Sequence, residues 1–105
     1  MNTPLRTPLR LGIAGLGTVG VGVLRIVQDQ ATLLAARCGR PIVISAVSAR
    51  SRSKDRGVDL SGLAWEDSPE ALALRDDVDV FIEVMGGHEG AAREAITAAL
   101  RAGKH

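Results

Sequence analysis

The six residues Gly15-Leu16-Gly17-Thr18-Val19-Gly20 constrain this chain more than any others. They follow directly on the short apolar run LRLGIA at 9 to 14 and lead into VGVLRIV, where apolar residues recur at helical spacing. A strand that must reverse within two residues and start a helix needs a first glycine for the tight turn. It needs a second where an outside group comes up against bare backbone, and a third where helix and strand pack closely. The first amides of such a helix have no partner inside it and stand at its positive end, so the group they suit is an anionic phosphate. The blander reading, glycines serving only the geometry of a turn, remains beside it.

The rest of the chain repeats the same alternation. Residues 1 to 8, with two prolines and two threonines, read as a loose lead-in, and 9 to 105 as one folded domain. Val19, Val23, Ile26, Val27, Leu33 and Leu34 draw an apolar stripe down a single helix of about five turns, which Gly39 and Pro41 stop. Ile42 to Val47 is β-branched and apolar, a buried strand. A polar, charged stretch runs from Ser51 to Ser61, Leu63 to Trp65 forms a short strand, and Ser68-Pro69 opens a brief helix ending near Leu74. Asp79 to Met85 is a fourth strand, broken by Gly86 and Gly87. A second long helix follows, striped by Ala92, Ala95, Ile96, Ala99 and Leu100 and closed by Gly103, with Arg93, Thr97 and Arg101 on its wet side. Strands alternating with helices specify an α/β domain, a Rossmann-type doubly wound parallel sheet with helices on both faces. A helix ending in Gly103-Lys104-His105 is where such a chain turns into another strand, so the expectation is a domain that lacks its carboxyl-terminal portion and belongs to a longer protein.

Composition agrees and excludes other classes. At 105 residues one core is affordable, and the 46% apolar content is nearly all aliphatic, as strands covered on both faces require. Thirteen basic against twelve acidic residues give a net charge of +1, too little to gather the chain onto nucleic acid or an anionic membrane. Cys38 stands alone, which excludes an internal disulfide and a thiolate metal cluster, and it reads as inert packing near a helix end. No apolar run matches a secretory signal or a bilayer span, and the expected location is the cytoplasm.

A ligand with two phosphates and an adenosine makes specific demands on the second strand. A domain that prefers NAD usually ends that strand with an acid that accepts from the ribose hydroxyls. Here the strand runs into Ala49, Arg50, Ser51, Arg52, Ser53 and Lys54, with no acid before Asp55. Guanidinium, ammonium and hydroxyl groups suit a 2′-phosphate instead, which points to NADP as the preferred cofactor with NAD possible. The alternative is a solvated basic loop. Met85, Gly86 and Gly87 close the fourth strand on the sheet edge where open α/β folds take ligands, and would border the nicotinamide end. His88 and Glu89 suggest acid-base chemistry, but a single His without a placed titratable partner reads as a cap or a solvated side chain. Glu83, inside an apolar strand, is expected to be hydrogen-bonded in a partly open position, or to touch cofactor or a further domain.

The runs GLGTVGVGV at 15 to 23, ISAVSARSRSKDRGVDL at 44 to 60, VDVFIEVMGGHEGAA at 78 to 92 and ALRAGKH at 99 to 105 together resemble homoserine dehydrogenase, over nearly the whole chain from Leu9 onward. That resemblance implies an NAD(P)-dependent oxidoreductase interconverting L-homoserine and L-aspartate 4-semialdehyde, in the branch leading to threonine and methionine. It implies the pyrophosphate loop at Gly15 to Gly20, the adenosine-phosphate reader at Arg50 with Lys54 in support, and nicotinamide neighbours at Met85 to Gly87. The family's pattern continues after AGKH with a T-A-N-K strand, and its substrate-handling lysines and acids and most dimer contacts lie there. By that resemblance the chain contains no catalytic residue, holds its amino-acid substrate only through a missing domain, and comes from a homo-oligomer. Other amino-acid or semialdehyde dehydrogenases share this kind of cofactor half. A dinucleotide-sensing module without chemistry is a further class, against which Arg50 argues.

Overall fold

The computed structural model describes residues 7–49, 60–85 and 89–105, and the backbone alone for 89–92. Four parallel strands, β1 (Leu9–Ala14), β2 (Ile42–Ser48), β3 (Ala64–Glu66) and β4 (Val80–Glu83), lie in the order β3-β2-β1-β4. The helices are α1 (Thr18–Asp29), α2 (Ala31–Cys38), α3 (Pro69–Ala73) and α4 (Glu89–Arg101). This is the expected Rossmann-type arrangement: β1 lies between β2 and β4 and is parallel to both, and the chain crosses from β3 through α3 to reach β4 on the far side of β1.

The two faces of the sheet are built from different residue sizes. Leu11, Ile13, Ile44 and Val47 point toward α1, where Leu24 and Val27 meet them. On the other face Gly12, Ala14 and Ala46 are small, and the chain of α3 and its exit settle close, with Leu72 and Val78 fully covered. A Cβ on Gly12 would stand 2.9 Å from a Val78 methyl, so this face tolerates no larger residue there. Ala73, Ala98 and Ala99 let α4 lie against α3 in the same way.

Strand β2 carries an irregularity. Its register with β1 slips by one residue between Leu11 and Gly12, leaving Ser45 as an extra residue, so Ile44 and Val47 face the same side. The Ser45 hydroxyl donates to the Asp77 carbonyl at 2.6 Å and fastens the α3–β4 connection to the sheet.

The expected single long helix is corrected to two. At Gln30 (φ −111°, ψ 25°) the chain turns by 81°, and Gln30 both ends α1 and begins α2. The twelve residues of α1 already span about 18 Å, close to the length of a six-residue strand, so a straight continuation would leave the sheet. The bend returns Leu34 to the core beside Ile42. Consequently the stripe divides: Leu24 and Val27 are buried, whereas Val19, Ile26 and Leu33 are exposed. Cys38 is likewise exposed at the last turn of α2, at a helix end as expected but without the packing role.

The helix stops and starts follow their sequence signals. Gly39 (φ +77°) and Gly103 (φ +78°) take the left-handed conformation that ends a helix, and the Ser68 hydroxyl accepts from the Ala71 N–H with Pro69 in the first turn. In α4 Ala95, Ala98 and Ala99 are buried, but Ile96 and Leu100 are exposed, which corrects the expected stripe. They border a depression of about 260 Å³ with Phe81, Glu83, Lys104 and His105 along the outer edge of β4. His105 runs beside that edge in the parallel pattern: its N–H donates to Asp79 O at 3.3 Å, and its carbonyl accepts from Phe81 N–H at 2.7 Å.

Among the described residues no single helix is long and apolar enough to cross a membrane, and no group of metal-ligating side chains comes together.

Candidate functional site

The carboxyl ends of β1, β2 and β4 meet at Gly15. Its N–H donates to Ser48 O of β2 at 2.8 Å, and the Val84 N–H just past β4 donates to Ala14 O at 3.0 Å. The turn is thus held from both neighbouring strands at the topological switch point, where open α/β sheets leave a crevice.

The three glycines of the turn divide into two kinds. Gly15 has φ +102°, and a Cβ there would stand 2.9 Å from Val84 O and 3.1 Å from Met85 N. A Cβ on Gly20 would stand 1.9 Å from Gly15 O, so helix α1 touches the turn below it with no space for a side chain. Gly17 differs: among the described residues nothing lies within 4 Å of its Cβ position. Two glycines are therefore demanded by the protein itself, and the third leaves a space that no described residue fills. Gly17 is the N-cap of α1, no side chain caps the first turn, and no acid stands in it. Positive helix-end charge and amides without a side-chain acceptor thus face open ground at Gly17, Thr18 and Val19. Leu16 is buried in the core and anchors the loop from beneath, while Thr18 and Val19 are exposed.

At the second strand Ser48 is 4% exposed and Ala49 packs against the core. The chain therefore leaves β2 at the carboxyl edge of the sheet, beside the Gly15 turn. Arg50, Ser51, Arg52 and Lys54 lie outside the described residues. So do Gly86, Gly87 and His88. Met85, half-buried against the Ala14, Ala46 and Leu72 cluster, marks the other side of the crevice. Glu83 is hydrogen-bonded in a half-buried position, as expected of a carboxylate in an apolar strand: its Oε2 accepts from the Met85 N–H at 2.6 Å.

The model of the homoserine dehydrogenase NAD-binding domain matches residues 15–105. The chain belongs to the homoserine dehydrogenase family. It is 43% identical over 97 residues to the homoserine dehydrogenase of Mycobacterium tuberculosis, covering 92% of this chain and 21% of that protein. With the Neisseria gonorrhoeae enzyme it shares 42% over 98 residues, covering 93% and 22%. The crystal structure of the Thiobacillus denitrificans homoserine dehydrogenase superposes with a TM-score of 0.81 at 32% identity, over 94% of this chain and 22% of that one. The Staphylococcus aureus homoserine dehydrogenase gives 0.80 at 31%, over 93% and 25%. The chain thus spans about a fifth to a quarter of the length of these homoserine dehydrogenases, and the part it spans is the dinucleotide-binding domain.

Within this family domain, two features of the crevice escaped the sequence reading. Glu83 reaches forward to Met85 rather than sideways to a partner strand, and Val84 and Met85 rest directly on Gly15. The second was foreshadowed only by the glycine itself, since a left-handed φ does not say which backbone lies against it.

Proposed function

We propose that the chain holds NADP(H), in preference to NAD(H), as the cofactor half of an oxidoreductase interconverting L-homoserine and L-aspartate 4-semialdehyde. The observation that carries the reading is the open space over Gly17 beside an uncapped helix start, between two glycines packed without clearance. A pyrophosphate fits that space, with donors from the amides of Gly17 to Gly20. Arg50, with Ser51, Arg52 and Lys54, follows Ala49 at the adenosine side and supplies charge-assisted donors to a 2′-phosphate. Met85, Gly86 and Gly87 border the nicotinamide, which when bound exchanges hydride with the substrate carbon. The groups that orient the amino-acid substrate and move its hydroxyl proton are assigned to a further domain, as is the surface that makes the enzyme a homo-oligomer. The chain alone is expected to bind dinucleotide without turning over homoserine, because hydride transfer depends on orientation and on a placed acid or base.

Calorimetric titration of the chain and of Arg50→Ala with NADP+ and NAD+ tests the cofactor assignment. The substitution should weaken NADP+ by about 1.5 to 3 kcal/mol and leave NAD+ nearly unchanged. Equal losses for both would remove Arg50 from the role of phosphate reader.

A further inference from the structure

Glu83 is the last residue of β4, in register with Ala14, the last residue of β1 before the glycine turn. Strand alternation puts Phe81 and Glu83 on the α4 face, while Val80, Ile82 and Val84 turn to the α1 face. A carboxylate on that face has water available at the depression beside Ile96 and Leu100. Instead its Oε2 bends forward along its own chain and accepts from the Met85 N–H at 2.6 Å, a short, charge-assisted bond. Val84 and Met85 are at the same time pressed onto Gly15: the Val84 N–H donates to Ala14 O, and no atom could be added to Gly15 without striking Val84 O or Met85 N. The glycine turn and the start of the β4–α4 connection are thus one unit, gripped by backbone contact on the Gly15 side and by the Glu83 carboxylate on the other.

We propose that Glu83 is a positioning residue for the nicotinamide end of the cofactor: by holding the Met85 amide it fixes the direction in which the chain leaves β4 relative to the pyrophosphate turn. This rests on the reading that Met85 borders the nicotinamide. Without that bond the Met85 amide would be held on the Gly15 side alone, and the ring would meet a surface that must be ordered further at the moment of binding. The entropic cost of that ordering appears as lost affinity for the ring and leaves the adenosine and pyrophosphate contacts untouched. Glu83→Gln keeps an oxygen that can accept from Met85 and loses only the charge, whereas Glu83→Ala removes the acceptor.

The test is titration of the full chain and its two variants with NADP+ and with 2′-phospho-ADP-ribose, which lacks only the nicotinamide, and with NAD+ and ADP-ribose beside them. Glu83→Ala should weaken the dinucleotides about tenfold and the nicotinamide-free ligands less than about twofold, with Glu83→Gln recovering most of the loss. Retained binding of the nicotinamide-free ligands shows in the same titration that the variant is folded. If Glu83→Ala does not fold, Glu83→Asp, whose carboxylate is drawn back by one methylene, carries the same expectation. Equal losses for dinucleotide and fragment would make Glu83 a merely structural residue, and unchanged binding of both would make the Met85 contact irrelevant to the cofactor; either overturns the proposal. If the unmutated chain bound NADP+ no better than 2′-phospho-ADP-ribose, the placing of the ring at Met85 would fall and this inference with it, an outcome distinct from a failure of Glu83 alone.

Discussion

Two connections on this sheet solve the same problem with opposite means. The β1–α1 turn with the first residues of α1, 15 to 20, uses three glycines and, among the described residues, no side-chain hydrogen bond at its helix start. The α3–β4 connection, residues 74 to 79, is crowded with side chains that satisfy one another. Arg75 pairs with Asp77 and Glu66 at 2.8 and 2.6 Å, Arg10 grips Asp79 through two nitrogens, and the Lys104 ammonium donates to the carbonyls of Arg75 and Val78. The second region is closed within the protein, with its polar groups matched in pairs. The first holds donors and positive helix-end charge that no described side chain caps. A fold gains nothing from leaving such groups open, so the contrast marks the glycine turn as a place built to receive something.

The sharpest way to break the comparison lies within the turn itself. Gly20→Ala should cost about 3 kcal/mol or more, because the new methyl meets the Gly15 carbonyl at 1.9 Å and backbone on both sides must move. Gly17→Ala, three residues away, should cost at most about 1 kcal/mol, since φ is −78° and the space is open, yet it should weaken NADP+ by about tenfold or more by occupying the pyrophosphate's approach. Thermal denaturation by circular dichroism and calorimetric titration of each variant separate the two. Were Gly17→Ala as destabilising as Gly20→Ala, the division between structural and ligand-directed glycines would be wrong.

The closed connection should behave in reverse. Arg75→Ala leaves Glu66, about a quarter exposed, and the more exposed Asp77 without their guanidinium, and should lower stability by at most about 1 kcal/mol. Cofactor affinity should be unchanged, because Glu66, although it ends β3 at the carboxyl edge, stands two strands away from β1 and Gly15, and Arg75 and Asp77 lie in the connection that leads into β4. A loss of NADP+ binding beyond that explained by unfolding would join two regions here kept apart.

The turn was legible in the sequence because each of its demands is local. Glycine spacing, the apolar run before it and the helical period after it all fall within about 20 residues, and Ser68-Pro69, Gly39 and Gly103 signalled their helix ends in the same way. What escaped depended on distances between elements. The bend at Gln30 follows from the length of the sheet that α1 crosses, which no residue near Gln30 records. Ile96 and Leu100 have the spacing of a buried stripe, but spacing says that a face is apolar and not what covers it. The extra residue Ser45 looks like any other in a β-branched run; only pairing with β1 reveals it. The charged connection was invisible for the same reason, since Arg10 and Asp79 meet across 69 residues.

The smallest expected effect concerns pH, and it belongs wholly to the closed connection. Hydrogen bonds from the Arg10 guanidinium, then from the Arg10 N–H at 2.9 Å, pull the Asp79 carboxyl down to about 2 from its ordinary 3.8. Asp77 is lowered in the same direction, chiefly by its bond from Arg75. A carboxylate whose pKa is depressed by folding binds fewer protons in the folded chain than in the unfolded one across the interval between the two values. Its stabilisation is therefore complete above the unfolded value near 4 and drains away as pH falls toward 2. Asp79 is a third exposed and its partner more so, so the contribution is modest and screened by salt. Urea denaturation of the chain between pH 5 and pH 2 should show stability falling with acid, and Asp79→Asn, which cannot ionise, should give a shallower fall over the same interval. Raising the salt concentration should draw the two curves together. Parallel curves at low salt would mean that the Arg10 pair is equally satisfied in the unfolded chain, and the closed connection would then owe its order to Ser45, Lys104 and packing around Val78 rather than to charge.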